Sequence, residues 1–357
     1  MTAPALALEG VAKQYGASVA LKPFDLTVAQ GEFVTLLGPS GSGKSTLLGI
    51  AAGTLAPDAG RVLSHGHDVT YAPSHQRNVG MVFQRYTLFP NMSVAENVAF
   101  PLKVRKQSAK QIAEKVAHYL DLVGLLQLAD RYPSQVSGGQ AQRVALARAL
   151  VFEPALLLMD EPLAAIDRRL RQMLQEEIRR IQHATRVPTL YVTHDQDEAM
   201  HMSDRIVVIR DGAMAANGSP RDVYWKPRSV WVAEFLGDAN VRRVERTAPV
   251  CGGMCQVRDG SGRALAGQLH AGADADAPLA LVIRPEDCFV HLQPAPETLP
   301  GRVTDLSFRG PIQDVWIALA DGWTLRAAIP SRTVLETGMD VHVGWPAEAA
   351  VIVGALD

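Results

Sequence analysis

Cysteine is scarce, and neither sign of charge dominates. Three cysteines, Cys251, Cys255 and Cys288, occur in 357 residues, too few and too irregularly spaced for a disulfide framework. Cys251 and Cys255 invite a metal reading, but no histidine or third cysteine stands at ligand spacing, so they are expected to be simple thiols. The chain has 35 basic and 37 acidic residues, a net charge of −2. It therefore has no broad electrostatic reason to bind nucleic acid. No run of about 18 apolar residues is present, so no segment is expected to span a bilayer. Met1-Thr2-Ala3-Pro4 lacks a basic stretch followed by an apolar core and does not read as an export signal. Together these absences point to a cytosolic compartment. What is there is globular in composition: 47% hydrophobic and 20% charged residues argue against disorder. The length favours two or three domains.

From Leu6 to about Gly237, short β-rich runs alternate with longer helical patterns, as in a mostly parallel sheet covered by helices. Phe33–Leu37, Val79–Phe83, Ala155–Met159, Thr189–Thr193 and Ile206–Ile209 are nearly continuous apolar runs, which a sheet buried on both faces requires. Helices are expected over Ser108–Val123 and Arg168–His183. In the second, Leu170, Met173, Leu174, Glu177, Ile178 and Ile181 recur at a spacing near 3.6. After about Asn240 the helical pattern disappears, all eight lysines lie behind, and short strands with Gly-rich turns take over. Ile312–Leu319, Asp321-Gly322 and Trp323–Arg326 read as a β-hairpin. Two domains are expected, 1–237 (with a helical subdomain at about 86–155) and 238–357, the second small and all-β. No repeat of 20 to 50 residues is found.

Gly38-Pro39-Ser40-Gly41-Ser42-Gly43-Lys44-Ser45-Thr46 fits G-x-x-x-x-G-K-[ST] between a strand and a helix, the context this motif needs. Glycines let successive backbone N–H groups curl around a polyphosphate, and the following helix aims its positive end there. Lys44 is expected to reach the terminal phosphates and the Ser45 hydroxyl to contact Mg²⁺. Such chemistry also needs an acid at the end of a buried strand, and Met159-Asp160-Glu161-Pro162 supplies two. Asp160 is expected to hold Mg²⁺ through its water shell and Glu161 to orient the attacking water.

Val136-Ser137-Gly138-Gly139-Gln140 opens a second strong helix, Ala141–Leu150. Ser137 can cap it, and the two glycines let a phosphate approach the backbone. One nucleotide site does not need two such helix ends from the same chain. A pair of chains, each facing the other's phosphate loop, uses both.

With these motifs in this order, Leu6 to Gly237 resembles the ATP-binding cassette (ABC) family of transport ATPases. The resemblance implies an α/β fold: a P-loop nucleotide-binding domain with a mixed sheet and a helical subdomain, followed by a small all-β OB-like domain. The signature stands here as VSGGQ in place of the commoner LSGGQ. Tyr15 matches the aromatic residue that stacks on adenine. Gln84, after Val82-Phe83, matches the glutamine that links γ-phosphate and metal to the membrane partner. His194, in Thr193-His194-Asp195, matches the switch histidine at the γ-phosphate. Asp167, in Leu163-Ala164-Ala165-Ile166-Asp167, matches the acid that crosses the dimer interface, although Ser-Ala-Leu more often precedes it.

The resemblance further implies a homodimer closing head to tail over two ATP molecules. Ser137, Gly138, Gly139, Gln140 and Asp167 of one chain then meet the nucleotide of the other. Integral membrane permease subunits are implied partners, contacted through the apolar stretch after Gln84, with Tyr86, Leu88, Phe89 and Met92 as anchors. A solute-binding protein is an indirect partner, nucleic acid is not one, and the place is the cytoplasmic face of the inner membrane. Val282-Ile283-Arg284-Pro285-Glu286 resembles a motif of the OB-like (TOBE) domain appended to many importer ATPases. The flanks of Gln84, His75–Gln84 and Ala95–Leu102, look most like the polyamine/ferric-iron/phosphonate branch, so import of a polyamine such as spermidine or putrescine is expected. Ferric iron, 2-aminoethylphosphonate, sulfate and sugar are the alternatives. A soluble ABC ATPase acting on DNA or ribosomes usually carries a long coiled-coil insert or two cassettes. Only about ninety residues separate Lys44 from Ser137, and there is one cassette. A degenerate, non-catalytic module is disfavoured by the presence of Lys44, Glu161 and His194.

Overall fold

Phe33–Leu37 and Thr189–Thr193 are buried along their whole length, and their near-continuous apolar character is what the centre of a parallel sheet demands. The computed structural model describes residues 3–84, 88–164, 166, 168–248, 252–273 and 278–355. The chain divides into two compact units, 1–220 and 221–357.

In the first unit the strands are β1 (Leu6–Tyr15), β2 (Ser18–Val28), β3 (Phe33–Leu37), β4 (Ala59–Ser64), β5 (His67–Asp68), β6 (Val79–Val82), β7 (Leu156–Asp160), β8 (Thr189–Thr193), β9 (Arg205–Arg210) and β10 (Ala213–Gly218). The helices are α1 (Lys44–Ala52), α2 (Val94–Val104), α3 (Ala109–Leu122), α4 (Gly138–Leu150), α5 (Arg168–Thr185) and α6 (Gln196–Met202). One sheet runs β10-β9-β3-β8-β7-β6, parallel except for β10, and the other is antiparallel, β2-β1-β4-β5. Alternate residues of the central strands feed two cores. Leu157, Met159 and Tyr191 meet the helical side, with α2 to α5. Leu156, Leu158, Leu190 and Val192 meet α1 and the antiparallel sheet. Serines 93, 108 and 137 each close a capping box with the Glu or Gln three residues on, which stops the three helices of the subdomain from fraying at their N-termini.

The second unit holds α7 (Pro220–Trp225, its first residue at the division), α8 (Val230–Phe235) and strands β11 (Asn240–Arg246), β12 (Met254–Asp259), β13 (Ala264–Leu269), β14 (Leu279–Ile283), β15 (Phe289–His291), β16 (Thr298–Phe308), β17 (Ile312–Leu319), β18 (Thr324–Pro330), β19 (Asp340–Gly344) and β20 (Val351–Gly354). β11-β12-β13-β20-β14 close into a barrel, and β15-β19-β16-β17-β18 form a separate antiparallel sheet. β17 and β18 are the expected hairpin, paired from Ile312 with Pro330 to Ala318 with Thr324. One apolar core serves barrel and sheet together, through Leu281, Val303, Ile317, Val343 and Ile352. The compositional change near Asn240 therefore marks the first barrel strand, while the compact unit starts earlier. The backbone carbonyls of Tyr224, Ala233, Gly237 and Asp238 are pinned by the buried guanidinium of Arg284. Cys255 and Cys288 are buried free thiols, and burial pushes Cys288 up to about 12. Cys251 lies outside the described residues. Among the described residues no helix is long and apolar enough to cross a membrane.

Candidate nucleotide site

The loop from Gly38 to Gly43 links β3 to α1, and contact with its neighbours explains two of its glycines. A Cβ on Gly38 would lie 2.3 Å from the Ile209 carbonyl, and one on Gly43 would lie 2.6 Å from the Ala20 carbonyl. Gly43 also has φ +105°, a conformation costly for any other residue. No side chain caps α1 and no acid stands in its first turn, so its N-terminal N–H groups and its dipole are available to an anion. Lys44 is 5% exposed and folds back on the loop, its Nζ donating to the Gly38 and Pro39 carbonyls at 2.8 Å each. Burial pulls its pKa down, while Glu161 and Asp160 pull it up. Ser42 is buried, and its Oγ has no hydrogen-bond partner among the described residues. Pro39, Ser40, Gly41 and Ser45 are exposed, and Thr46 is half-buried.

The parallel strands end on one edge: Leu37 pairs with Thr193, Asp160 with Val192, and Val82 with Met159. This register gathers the chemistry. Glu161 leaves β7 with φ +43° and donates its N–H to the Val192 carbonyl at 2.9 Å. Its Oε2 lies 3.1 Å from Nδ1 of His194, which leaves the adjacent strand β8. Burial and then the Glu161 carboxylate raise the pKa of Asp160, and Lys44 offsets this in part. Lys44, Asp160, Glu161 and His194 thus form one electrostatic cluster. Gln84 lies two residues beyond β6 on the same edge, exposed. Tyr15 ends β1 in the other sheet, 52% exposed, with the Lys13 ammonium 5.7 Å from its ring centre.

The other expected site residues stand apart from this cluster. Ser137 and Gln140 hydrogen-bond each other, Gln140 N–H to Ser137 Oγ at 3.3 Å and Ser137 N–H to Gln140 Oε1 at 2.8 Å. A Cβ on Gly139 would lie 3.2 Å from Leu170, whereas one on Gly138 would meet nothing within 4 Å among the described residues. Leu88, Phe89 and Met92 are half-buried. The Phe89 ring lies 4.6 Å from that of Phe100 and beneath the Arg148 guanidinium. Asn97, which sequence reasoning passed over, organises this loop. Fully buried, it accepts from Phe89 N–H at 2.9 Å and donates to the carbonyls of Phe89, Met92 and Ser93. A polar residue inside the apolar run Val94–Leu102 was its signal. Tyr86 and Asp167 lie outside the described residues.

Among the described residues no group of three or more His, Cys, Asp or Glu is placed to hold a metal ion. The expected metal donors, Asp160, Ser45 and Gln84, are a carboxylate, a hydroxyl and an amide, hard oxygen ligands of the kind that share Mg²⁺ with phosphate oxygens. Asp160 fits that use, because it is half-buried and Lys44 offsets only part of the cost of its charge.

Residues 21–164 match the ABC transporter family and residues 281–353 the TOBE domain. The chain is 47% identical to the sulfate/thiosulfate import ATP-binding protein CysA 2 of Chromobacterium violaceum, over 96% of this chain and 93% of that one. The chain belongs to the ATP-binding cassette family of import ATPases. It is 43% identical to the spermidine/putrescine import ATP-binding protein PotA of Methylococcus capsulatus, over 94% of this chain and 88% of that one. A bacterial ABC transporter cassette solved as a dimer is similar at a TM-score of 0.54 and 31% identity, covering 60% of this chain and 99% of that one. In this ABC ATPase the first match runs from within β2 to just past Glu161. The second runs from within β14 to within β20 and includes Arg284.

Proposed function

We propose that two copies of this chain close over two ATP molecules and that hydrolysis drives uptake of a small solute through membrane permease subunits. The observation that carries this reading is Gly138. It has open space around it and no left-handed backbone, so nothing among the described residues calls for glycine there. A phosphate approaching from a second chain does. The dimeric form of the solved relative supports the same arrangement.

In this reading Lys44 exchanges its two loop carbonyls for terminal phosphate oxygens, and the free N–H groups at the start of α1 bind the same charge. Tyr15 stacks on the base. Glu161 accepts a hydrogen bond from the attacking water and orients it, while His194 holds the γ-phosphate side. Ser45, Asp160 and Gln84 would hold Mg²⁺, whose contribution is to neutralise phosphate charge. Ser137, Gly138, Gly139, Gln140 and Asp167 complete the other chain's site. Closure depends on the terminal phosphate, because that charge is what the partner's helix end attracts.

We place the chain at the cytoplasmic face of the inner membrane, held there by the permease. Leu88, Phe89 and Met92 offer only their exposed parts to it, and Asn97 keeps their loop in shape. For the solute, the flanks of Gln84 favour a polyamine, whereas the relative at 47% identity is named for sulfate and thiosulfate. Uptake of labelled spermidine and labelled sulfate by cells lacking and regaining this chain separates the two. For the dimer, light scattering of Glu161→Gln with ATP is expected to give twice the monomer mass. Monomers at saturating ATP, with activity proportional to protein at high dilution, overturn the two-chain reading.

A further inference from the structure

Arg171, in the first turn of α5, joins two loops. Its Nη2 donates to the Ile166 carbonyl at 3.0 Å and its Nη1 to Asp195 Oδ2 at 2.7 Å. Ile166 belongs to the segment that follows Glu161, and Asp195 directly follows His194. One planar guanidinium therefore spans the loops that leave adjacent strands β7 and β8, using two nitrogens held at a fixed spacing, which the single ammonium nitrogen of lysine lacks.

The Asp195 end of this link is itself fixed. Asp195 caps α6 by accepting from Glu198 N–H at 3.1 Å, and its own N–H donates to Thr193 Oγ1 at 3.0 Å. Behind it Glu198, 2% exposed, accepts from Tyr191 OH at 2.8 Å and Thr193 Oγ1 at 2.7 Å. Arg171 Nε lies 3.9 Å from Glu198 Oε1, close enough for charge attraction but too far for a hydrogen bond. Burial raises the Glu198 carboxyl pKa, and its two hydroxyl donors and Arg171 oppose this. The Arg171 and Asp195 side chains border an open groove and remain 28% and 25% exposed. The link therefore joins a partly exposed acid to the backbone of Ile166, whose side chain belongs to the helical-side core.

We infer that Arg171 is a positioning residue for ATP hydrolysis: by holding Ile166 and Asp195 together, it sets how the loop after Glu161 meets the loop that carries His194. The inference rests on the reading that Glu161 and His194 act in hydrolysis. It assigns Arg171 no contact with nucleotide.

The test is steady-state ATPase activity of the full chain for Arg171→Met, Arg171→Lys, Asp195→Asn and the Arg171→Met/Asp195→Asn double variant, with thermal unfolding of each. Arg171→Met and Asp195→Asn are each expected to lower kcat by about ten-fold or more, the scale set by small misplacements of reacting groups. KM for ATP should stay within about two-fold, since ground-state binding is untouched. Arg171→Lys, which keeps one of the two contacts, should recover part of the loss. The double variant should be no worse than about two-fold below the poorer single one, because both break the same link. Unchanged kcat, a loss confined to KM, or losses that multiply in the double variant would each overturn the inference. If Arg171→Met does not fold, Arg171→Lys and Asp195→Asn carry the same comparison. Full turnover by His194→Ala would instead remove the reading beneath it.

Discussion

Glu161 Oε2 and His194 Nδ1 lie 3.1 Å apart, although they leave different strands of the sheet. The backbone holds the acid in place, with φ +43° and an N–H bonded across to Val192. A glutamine at 161 keeps a carbonyl oxygen for the same contact but is a poor acceptor for a water proton. Glu161→Gln is therefore expected to bind ATP about as tightly as the native chain and to turn over roughly a hundred-fold more slowly. Titration calorimetry and phosphate release measure the two quantities. Near-normal turnover would show that another group orients the water.

Asp160 bears a cost that its neighbours do not cancel. Burial, then Glu161, places its pKa above the ordinary aspartate value, so the folded chain holds this proton more tightly than the unfolded chain does. That contribution to stability is complete below the ordinary value and is lost as pH rises through the raised one. Asp160→Asn, neutral and of the same shape, should raise Tm at neutral pH by roughly 2 °C. It should also flatten the decline between acid and neutral pH, while ATP turnover collapses. Scanning fluorimetry across that pH range checks the first two effects, and an unchanged neutral Tm contradicts them.

The three glycines Gly43, Gly41 and Gly138 make different demands. Gly43→Ala meets both a forbidden φ and the Ala20 carbonyl, and is expected to cost about 1–3 kcal/mol. Gly41→Ala, at φ +80° but with open space, should cost roughly 1 kcal/mol. Gly138→Ala should leave the Tm of the single chain unchanged and weaken only ATP-driven dimerisation. Unfolding curves with and without ATP, beside light scattering, separate the three.

In the second unit Arg284 serves four carbonyls at once while its guanidinium packs 4.1 Å from the Tyr224 ring centre. Arg284→Met takes a donor from the buried Ala233 carbonyl and from three partly buried ones, a loss of roughly 1–3 kcal/mol. Urea unfolding followed by the second unit's tryptophan fluorescence should show an early transition. Cleavage between α7 and β11 under mild trypsin should increase.

Much of the site was legible because its parts are local. The phosphate loop, the acid pair at the end of β7 and the capping box at Ser137 each lie within a few consecutive residues. Their backbone requirements select Gly, Ser and Asp directly. The buried strands were equally plain, since only a sheet covered on both faces tolerates such apolar runs. Asn97 and Arg171 escaped notice because an amide in a helix and an arginine on a polar helix face look ordinary in one dimension. Their importance lies in carbonyls and carboxylates that folding brings to them.

Residue order alone settled the chemistry on offer: a loop that can cradle phosphate, acids and a histidine at strand ends, and an all-β final third. It could not settle which ends meet. The Glu161–His194 contact depends on β7 and β8 lying side by side in register, and the barrel closes because β20 returns to pair with both β13 and β14. The start of the second unit near Arg221 likewise depends on Arg284, whose acceptors lie 46 to 60 positions away. Such long-range pairings form only where the packing of a whole core offsets the entropy of closing the chain, and no short stretch of residues carries that balance.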